Sequence, residues 1–228
     1  MFDKKLGIIG GMGPLASAVL LELITEYTPV SADFEHIVID MVSNPRIPDR
    51  TDYILGKSNV SPAPVIKDIR VKLEQDGCEV IAIPCNTAFC FYDEICEGSK
   101  AAIINPIVET VKALKEAGVN KVGIMATDGT IKTGLFQKEL IKASIEPVVP
   151  DTVHQQKVMK MIYDDVKSGK NISKAELDCV KEHLMNMGAK KIILGCTELS
   201  MAKRKGICDD MFIDTLEVIA NIAVKECR

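Results

Sequence analysis

Residues 77–87 read GCEVIAIPCNT and residues 188–198 read GAKKIILGCTE, and the two stretches align without gaps. In each, a glycine suited to ending a helix precedes a short apolar run typical of a buried strand, and a cysteine follows the run. A second pair lies upstream, where residues 6–13, LGIIGGMG, align on residues 122–129, VGIMATDG. Two matches in the same order predict a duplicated domain whose halves are related by pseudo-twofold symmetry.

Short apolar runs alternate with amphipathic stretches along the chain. The runs that predict buried strands are residues 6–9, 37–41, 80–83, 121–125 and 191–194. The stretches that predict helices are residues 14–27, 62–75, 106–116, 133–143, 155–168, 173–187 and 214–227. Such alternation is typical of α/β proteins with parallel sheets. We therefore expect two similar α/β lobes, each a mostly parallel sheet flanked by helices, with the active site in the cleft between them.

The length of 228 residues is enough for two small lobes. We expect residues 1–105 together with 206–228 to form the first lobe, which carries Cys85. Residues 106–205 then form the second lobe, which carries Cys196. On this interpretation the last predicted helix returns to the first lobe.

Composition excludes several classes of function. Lys and Arg number 28 against 32 Asp and Glu, so no basic excess indicates nucleic acid or an anionic membrane as partner. Aromatic residues make up only 4% and Trp is absent, which argues against a base-stacking surface. The apolar run over residues 6–21 resembles a signal peptide, but its glycines and Pro14 suit a strand, a turn and a helix better. We expect a cytoplasmic protein.

The cysteine and histidine spacings predict no metal site. The chain has 8 cysteines spread over its length, with no CxxC pair, and free thiols are the better interpretation than disulfides or zinc ligands. The histidines, His36, His154 and His183, show neither ligand nor triad spacing and are expected to be structural or surface residues.

Cys85 and Cys196 differ from the other cysteines because each directly follows a predicted strand at an equivalent point of the repeat. Ligands of open parallel sheets bind at the carboxyl ends of the strands. A thiol at a helix N-terminus is favoured as thiolate, which is a competent base. Two facing bases suit inversion of a stereocentre, since one removes a proton while the other delivers one from the opposite face. The cysteines expected to be small apolar residues are Cys78, Cys90, Cys96, Cys179, Cys208 and Cys227.

Polar residues near these cysteines could stabilise the negative charge that develops on such a carbon. The candidate donors are Asn86, Thr87, Thr127 and Thr197. Arg50 could bind a carboxylate through two N–H groups, or serve only as a turn residue. Lys167 is by default a solvated lysine at a helix end.

The glycine-rich turn over residues 11–16, GMGPLA, fits the loose dinucleotide pattern GxGxxA. The next predicted strand ends at Asp40, further along than the usual ribose-binding acid, and the equivalent turn at residues 126–129 lacks the pattern. We therefore interpret it as a tight loop that contacts a carboxylate.

Residues 84–88, PCNTA, and 195–199, GCTEL, resemble the paired cysteine motifs of the aspartate/glutamate racemase superfamily. Further stretches resemble its aspartate racemase branch, namely 10–14, GGMGP, 35–37, EHI, 44–51, NPRIPDRT, and 214–215, DT. Glu198 also fits this branch, because glutamate racemases of cell-wall synthesis typically carry histidine at that place. Many relatives carry histidine near the position of Ile219, from which this chain departs.

The resemblance implies a cofactor-independent, two-base racemase of amino acids with acidic side chains, with L- and D-aspartate as the first expected pair, and a homodimer. It implies that Cys196 abstracts the α-proton of the L-enantiomer and Cys85 that of the D-enantiomer. It implies that Arg50 and Lys167 bind the side-chain carboxylate. The other substrate-contacting residues that it implies are Met12, Asn86, Thr87, Thr127, Thr197 and Glu198.

Three alternatives remain open from sequence. The first is a broad-specificity amino-acid racemase or a glutamate racemase of the same fold, which a substrate panel would distinguish. The second is a small-molecule binding protein that has lost turnover, against which the presence of both Cys85 and Cys196 argues. The third is a dinucleotide-dependent oxidoreductase, which nicotinamide binding would test.

Overall fold

The computed structural model describes residues 2–228, which form two compact units. One unit contains the chain up to Pro106 together with Leu216–Arg228, and the other is Ile107–Thr215. The strands are β1 Leu6–Gly10, β2 Ile39–Ser43, β3 Val80–Ala82, β4 Ala102–Ile103, β5 Lys121–Met125, β6 Glu146–Val148, β7 Lys191–Leu194 and β8 Phe212–Asp214. The helices are α1 Pro14–Tyr27, α2 Arg50–Ile54, α3 Ala63–Gln75, α4 Tyr92–Cys96, α5 Pro106–Glu116, α6 Asp128–Thr133, α7 Leu135–Lys142, α8 Thr152–Lys160, α9 Lys174–Asn186, α10 Ser200–Arg204 and α11 Thr215–Glu226.

Each unit contains one four-stranded parallel sheet, and the two sheets have the same strand order. The first is β2-β1-β3-β4 and the second is β6-β5-β7-β8. Leu6 of β1 pairs with Val80 of β3, and Val122 of β5 pairs with Lys191 of β7. The predicted α/β class, with two similar parallel sheets flanked by helices, is confirmed. The predicted repeat matches this topology, since the aligned segments form β1 with β5 and β3 with β7.

The central strands form because they are apolar on both faces, as parallel strands covered by helices must be. All of β1 and β3 is buried, and so is β5 after Lys121. Gly7 and Gly123 let a helix lie close to the sheet in each unit. A Cβ on Gly7 would lie 3.1 Å from Leu73 of α3, and one on Gly123 would lie 3.0 Å from Leu184 of α9.

The apolar N-terminal run forms β1 and α1 with a tight turn between them, which is the predicted strand, turn and helix. Gly11 in this turn has φ of +98°, a conformation that glycine adopts without strain. Pro14 begins α1, where its fixed φ is favourable and its missing N–H costs nothing. Among residues 2–228, no helix is both long and apolar enough to cross a membrane.

The return of the chain to the first unit differs from the sequence expectation. The sequence predicts that residues 206–228 belong to the first lobe. In the structure, Phe212 pairs with Ile192, which makes β8 the edge strand of the second sheet. The second unit therefore extends to Thr215. Only α11 returns, and it buries Leu216 and Ile219 completely.

Two predicted helices also differ in their bounds. The helix predicted over residues 133–143 is α7, which begins only at Leu135 because Gly134, with φ of +67°, separates it from α6. The helix predicted over residues 155–168 begins earlier, at Thr152, because the Asp151 carboxylate accepts a hydrogen bond from the His154 amide. It then changes into a π-helical turn over Met161–Asp165 and a 3₁₀ turn over Val166–Ser168.

Candidate active site

In both units the candidate residues lie at the point where the chain stops adding strands on one side of the central strand and crosses to the other side. The chain passes from β1 to β2 on one side and then crosses to β3 on the other, and the second sheet does the same around β5. Ligands of open α/β sheets bind at the carboxyl ends of the strands at this reversal. Met12 and Cys85 follow β1 and β3, and Thr127 and Cys196 follow β5 and β7.

The two cysteines share one backbone hydrogen bond, from the amide three residues further along the chain. The Cys85 carbonyl accepts a hydrogen bond from the Ala88 amide at 3.2 Å, and the Cys196 carbonyl accepts one from the Leu199 amide at 2.9 Å. Both side chains are nearly buried, with 6% of Cys85 and 7% of Cys196 exposed. The repeat therefore places one shielded thiol at the carboxyl end of each of two equivalent strands.

Cys196 is paired with a buried carboxylate. Its Sγ donates to Glu198 Oε2 at 2.9 Å. Glu198 is 5% exposed, and its other oxygen, Oε1, is buried without a hydrogen-bond partner among residues 2–228. Burial, reinforced by the negative charge of Glu198, raises the pKa of Cys196 well above its ordinary value, and the positive charge of Lys167 opposes this rise.

The expectation of a helix-stabilised thiolate is wrong for Cys196. No helix begins at this residue, because the chain makes a turn first and α10 starts only at Ser200. Desolvation is therefore the largest influence on the pKa of this sulfur, and it favours the thiol form that donates to Glu198. Cys85 does precede a helical segment, but it is a 3₁₀ helix over Asn86–Phe91.

Lys167 lies in the 3₁₀ turn that follows the π-helical turn. Its ammonium is 3.9 Å from the centre of the Tyr163 ring, a cation–π contact that orients an otherwise exposed side chain. Its charge acts on Cys196. Lys167 is thus part of the electrostatic environment of this thiol and is more than the solvated helix-end lysine of the default interpretation.

Arg50 is buried and holds two loops of the first unit together. Its Nη2 donates to the Met12 carbonyl at 2.8 Å, and its Nη1 donates to the Pro48 carbonyl at 3.0 Å. The Met12 loop is further fixed by Ser17, whose Oγ accepts from the Gly11 amide at 2.9 Å and donates to the Gly13 carbonyl at 3.0 Å. The role of Ser17 could not be derived from sequence, where it is one small residue among several.

Thr127 caps α6, its Oγ1 accepting a hydrogen bond from the Thr130 amide at 3.3 Å. Gln155 of α8 fixes the same loop, because its Nε2 donates to the Ala126 carbonyl at 3.0 Å and to Asp128 Oδ1 at 2.8 Å. Gln155 is absent from the sequence-predicted set, since only the fold brings α8 against this loop.

Two further polar contacts support the loop after β7. Ser200 Oγ donates to Asp214 Oδ1 at 2.6 Å, and Thr215 Oγ1 donates to the Leu194 carbonyl at 2.9 Å. All three side chains, Ser200, Asp214 and Thr215, are buried. The sequence motif at 214–215 pointed to this place, but the role of Ser200 depends on the pairing of β7 with β8.

The predicted site residues fall into two groups, one in each unit. The Cys85 cluster in the first unit consists of Met12, Arg50, Cys85, Asn86 and Thr87, all of them buried. The Cys196 cluster in the second unit consists of Thr127, Lys167, Cys196, Thr197 and Glu198, of which only Lys167 is exposed.

Comparison with known proteins identifies similar chains. The model of the family described as Asp/Glu/Hydantoin racemase matches residues 9–223. The solved structure of Picrophilus torridus aspartate racemase superposes with a TM-score of 0.83 at 29% identity, covering 98% of this chain and 94% of that one. The broad specificity amino-acid racemase RacX of Bacillus subtilis is 28% identical over 163 residues, 69% of each chain. Glutamate racemase of Corynebacterium glutamicum is 31% identical over 144 residues, 60% of this chain and 52% of that one.

Proposed function

This chain belongs to the Asp/Glu/Hydantoin racemase family and is a racemase of small amino-acid substrates, and on that premise we propose that it interconverts L- and D-aspartate by a two-base mechanism. Cys85 and Cys196 are the two bases. The observation that carries the proposal is the equivalence of the two thiols, each buried directly after the equivalent strand of a repeated sheet, with the same backbone hydrogen bond to its carbonyl.

Racemisation needs two proton transfers at one carbon, on opposite faces. In the proposed L-to-D direction, Cys196 as thiolate takes the α-proton and Cys85 as thiol delivers a proton to the other face. The D-to-L direction exchanges these roles. The α-carbanion formed between the two steps delocalises into the α-carboxylate, so N–H and O–H donors are needed to stabilise it. We assign this role to Asn86 and Thr87, which follow β3, to Thr127, which follows β5, and to Thr197, which follows β7. Because side chains serve both transfers, the mechanism requires no cofactor.

Glu198 gives the mechanism a dependence on bound substrate. Without substrate, its carboxylate holds the Cys196 proton through the 2.9 Å hydrogen bond and keeps the sulfur in the thiol form. The substrate ammonium carries three N–H donors, and the buried Oε1 of Glu198 is an acceptor suited to one of them. Pairing with the ammonium offsets the Glu198 charge that disfavours the thiolate, and the Cys196 proton is released to solvent as the substrate binds. We propose that Cys196 becomes a base only when the ammonium is in place.

Replacing Glu198 and replacing Lys167 should shift the titration of Cys196 in opposite directions. Glu198→Gln removes a negative charge that raises the pKa of this thiol, so alkylation of Cys196 by iodoacetamide should reach half its maximal rate at a lower pH. Lys167→Met removes a positive charge and should move the same midpoint to a higher pH. Peptide mass spectrometry measures alkylation of Cys196 separately from the other thiols.

Matched controls separate these charges from general changes in the net charge of the protein. Glu182→Gln and Lys170→Met alter exposed residues of the same unit and should leave the Cys196 midpoint in place. Equal shifts in the controls, or a rise of the midpoint in Glu198→Gln, would contradict the electrostatic assignment.

Acidic side chains are the favoured substrate class. Arg50 lies beside the Met12 loop in the first unit, and Lys167 acts on Cys196 in the second, so each cluster contains a cation suited to a carboxylate. The similarity to Picrophilus torridus aspartate racemase, which extends over nearly the whole chain, supports aspartate as the first substrate to test.

A second candidate is racemisation of a wider range of amino acids. RacX, described as a broad specificity amino-acid racemase, is nearly as similar at 28% identity but over a smaller share of the chain. In this case the same thiols carry out the same proton transfers, and the surroundings of the substrate side chain accept neutral groups.

The deciding experiment is α-proton exchange in D₂O, followed by NMR and chiral chromatography, with no added cofactor. Separate samples contain L-aspartate, D-aspartate, L-glutamate and L-alanine. Exchange and the opposite enantiomer with aspartate alone are expected. Turnover of alanine at a comparable rate would favour the broad-specificity candidate, and no exchange in any sample would reject the proposal.

A further inference from the structure

Asp151, His154 and His183 converge on the surface of the second unit, although 32 residues separate the first from the last. Asp151 caps α8, His154 lies in the first turn of α8, and His183 lies in the last turn of α9. Asp151 Oδ1 is 2.7 Å from His154 Nδ1, and Asp151 Oδ2 is 3.9 Å from His183 Nε2. One oxygen or nitrogen atom from each residue lies within 4.8 Å of the other two.

The hydrogen bonds show that His183 Nε2 and the Asp151 carboxylate act as acceptors. The Asp151 amide can only donate, and it donates to His183 Nε2 at 3.3 Å, so this nitrogen carries no proton. The Asp151 carboxylate accepts a hydrogen bond from the His154 amide at 2.9 Å, and the same oxygen, Oδ1, lies 2.7 Å from His154 Nδ1. An unprotonated imidazole nitrogen and a carboxylate oxygen are both metal-ligand atoms in their binding form.

We propose that Asp151, His154 and His183 form a binding site for one divalent transition-metal ion of the Zn²⁺ class, with water completing the coordination. Two imidazoles and one carboxylate suit Zn²⁺ better than Mg²⁺ or Ca²⁺, which prefer all-oxygen sites. Bonds of about 2.0–2.1 Å in a tetrahedral arrangement place neighbouring ligand atoms about 3.3 Å apart. The present separations of 2.7 and 3.9 Å lie on either side of that value.

Binding requires a change in the two rings, which now stack with their centres 3.8 Å apart and their planes at 10°. The lone pairs of parallel rings do not meet at one point, so at least one ring must rotate. Both side chains are about one-fifth exposed and border solvent, at 21% for His154 and 19% for His183, so this rotation needs no opening of the core. The ion also displaces the proton shared by His154 and Asp151.

Lys157 and Cys179 are the neighbouring groups that a test must control. Lys157 lies one turn after His154 on α8, and Cys179 lies one turn before His183 on α9. The Lys157 ammonium is 3.0 Å from the Cys179 sulfur. The ammonium is a competing cation near Asp151, and the thiol is a competing ligand.

The site would connect the start of α8 to the end of α9. Gln155, next to His154, holds the loop that contains Thr127 through its bonds to Ala126 and Asp128. A bound ion is therefore expected to stabilise the second unit and to fix the α8 end that supports this loop. The metal proposal stands on its own ligand geometry, so loss of the proposed racemase activity would leave it unaffected.

Titration of the purified protein with Co²⁺ tests the site, with calorimetry for stoichiometry and absorption for ligand type. Cobalt bound to thiolates gives intense charge-transfer bands in the near ultraviolet, which imidazole and carboxylate ligands do not give. We expect one ion per chain without those bands, and an increase in thermal stability on addition of Zn²⁺ because the ion binds only the folded state.

Variants locate the ion. His154→Gln, His183→Gln and Asp151→Asn should each weaken binding roughly tenfold or more, and asparagine keeps the helix cap that Asp151 provides. His36→Gln, which removes the one histidine outside the cluster, and Cys179→Ala should bind like the parent. Absence of binding, intense thiolate bands at one equivalent, or unchanged affinity in His183→Gln would overturn the proposal.

Discussion

Cys196→Ala is expected to lower the rate of aspartate racemisation about a thousandfold, and Cys85→Ala is expected to have an effect of similar size. Removing a positioned acid–base group typically costs between about a hundred and ten thousand in rate, and here each group is needed in both directions. The measurement is the initial rate of change in optical rotation, starting from each enantiomer in turn.

Exchange of the substrate α-proton with deuterium distinguishes which cysteine acts on which enantiomer. Cys85→Ala retains the proposed base for L-aspartate, so slow exchange of the L-aspartate α-proton with deuterium should continue without inversion. Cys196→Ala should show the opposite preference and exchange only D-aspartate. Cys179→Ala, a thiol of α9 outside both clusters, is the control and should racemise at the parental rate. Racemisation at that rate by Cys196→Ala would show that the two-base assignment is wrong.

Gly11→Ala is expected to destabilise the protein by about 3 to 5 kcal/mol, the largest effect on stability among these predictions. Gly11 has φ of +98°, and a Cβ there would lie 2.3 Å from the Asn44 carbonyl carbon and 2.4 Å from its oxygen. The contact is with backbone, which cannot move aside as a flexible side chain would. For a chain of this size the melting temperature should fall by roughly 10 °C, measured by differential scanning calorimetry.

Gly56→Ala separates strain in φ from steric contact. Gly56 has φ of +76°, also in the left-handed region, but no atom lies within 4 Å of its Cβ position. This variant should lose only about 1 kcal/mol. Equal losses in both variants would mean that the close approach of Asn44 contributes nothing to the requirement for glycine at position 11.

The sequence predicted the central strands well and the sheet edges poorly. Strands β5 and β7 match the predicted ranges residue for residue, because continuous apolar runs buried on both faces leave a clear signal. The edge strand β4 has two residues, and β6 and β8 have three each, which is too short for any periodicity to be visible. Missing β8 was the cause of the misplaced return to the first unit.

The placement of Cys85 and Cys196 after equivalent strands was predictable, because the apolar runs that precede them are visible in the sequence, and their catalytic role stays a prediction. Contacts between side chains were not predictable. The hydrogen bond from Cys196 to Glu198 depends on a turn that replaces the expected helix start. The meeting of His154 with His183 depends on how α8 packs against α9, which spacing along the chain does not encode.

The division of the chain between the two units has a consequence for the order in which the units fold during synthesis on the ribosome. Ile107–Thr215 is one uninterrupted segment, so the second unit can complete its sheet as soon as that segment has emerged. The first unit begins earlier but must wait for α11, whose Leu216, Ile219 and Ala223 are fully buried in it. Until then the apolar surface that α11 covers is exposed, and the amides of Asp3 and Lys4 lack the Cys227 carbonyl to which they finally donate. The half of the protein that is translated first is thus the half that matures last.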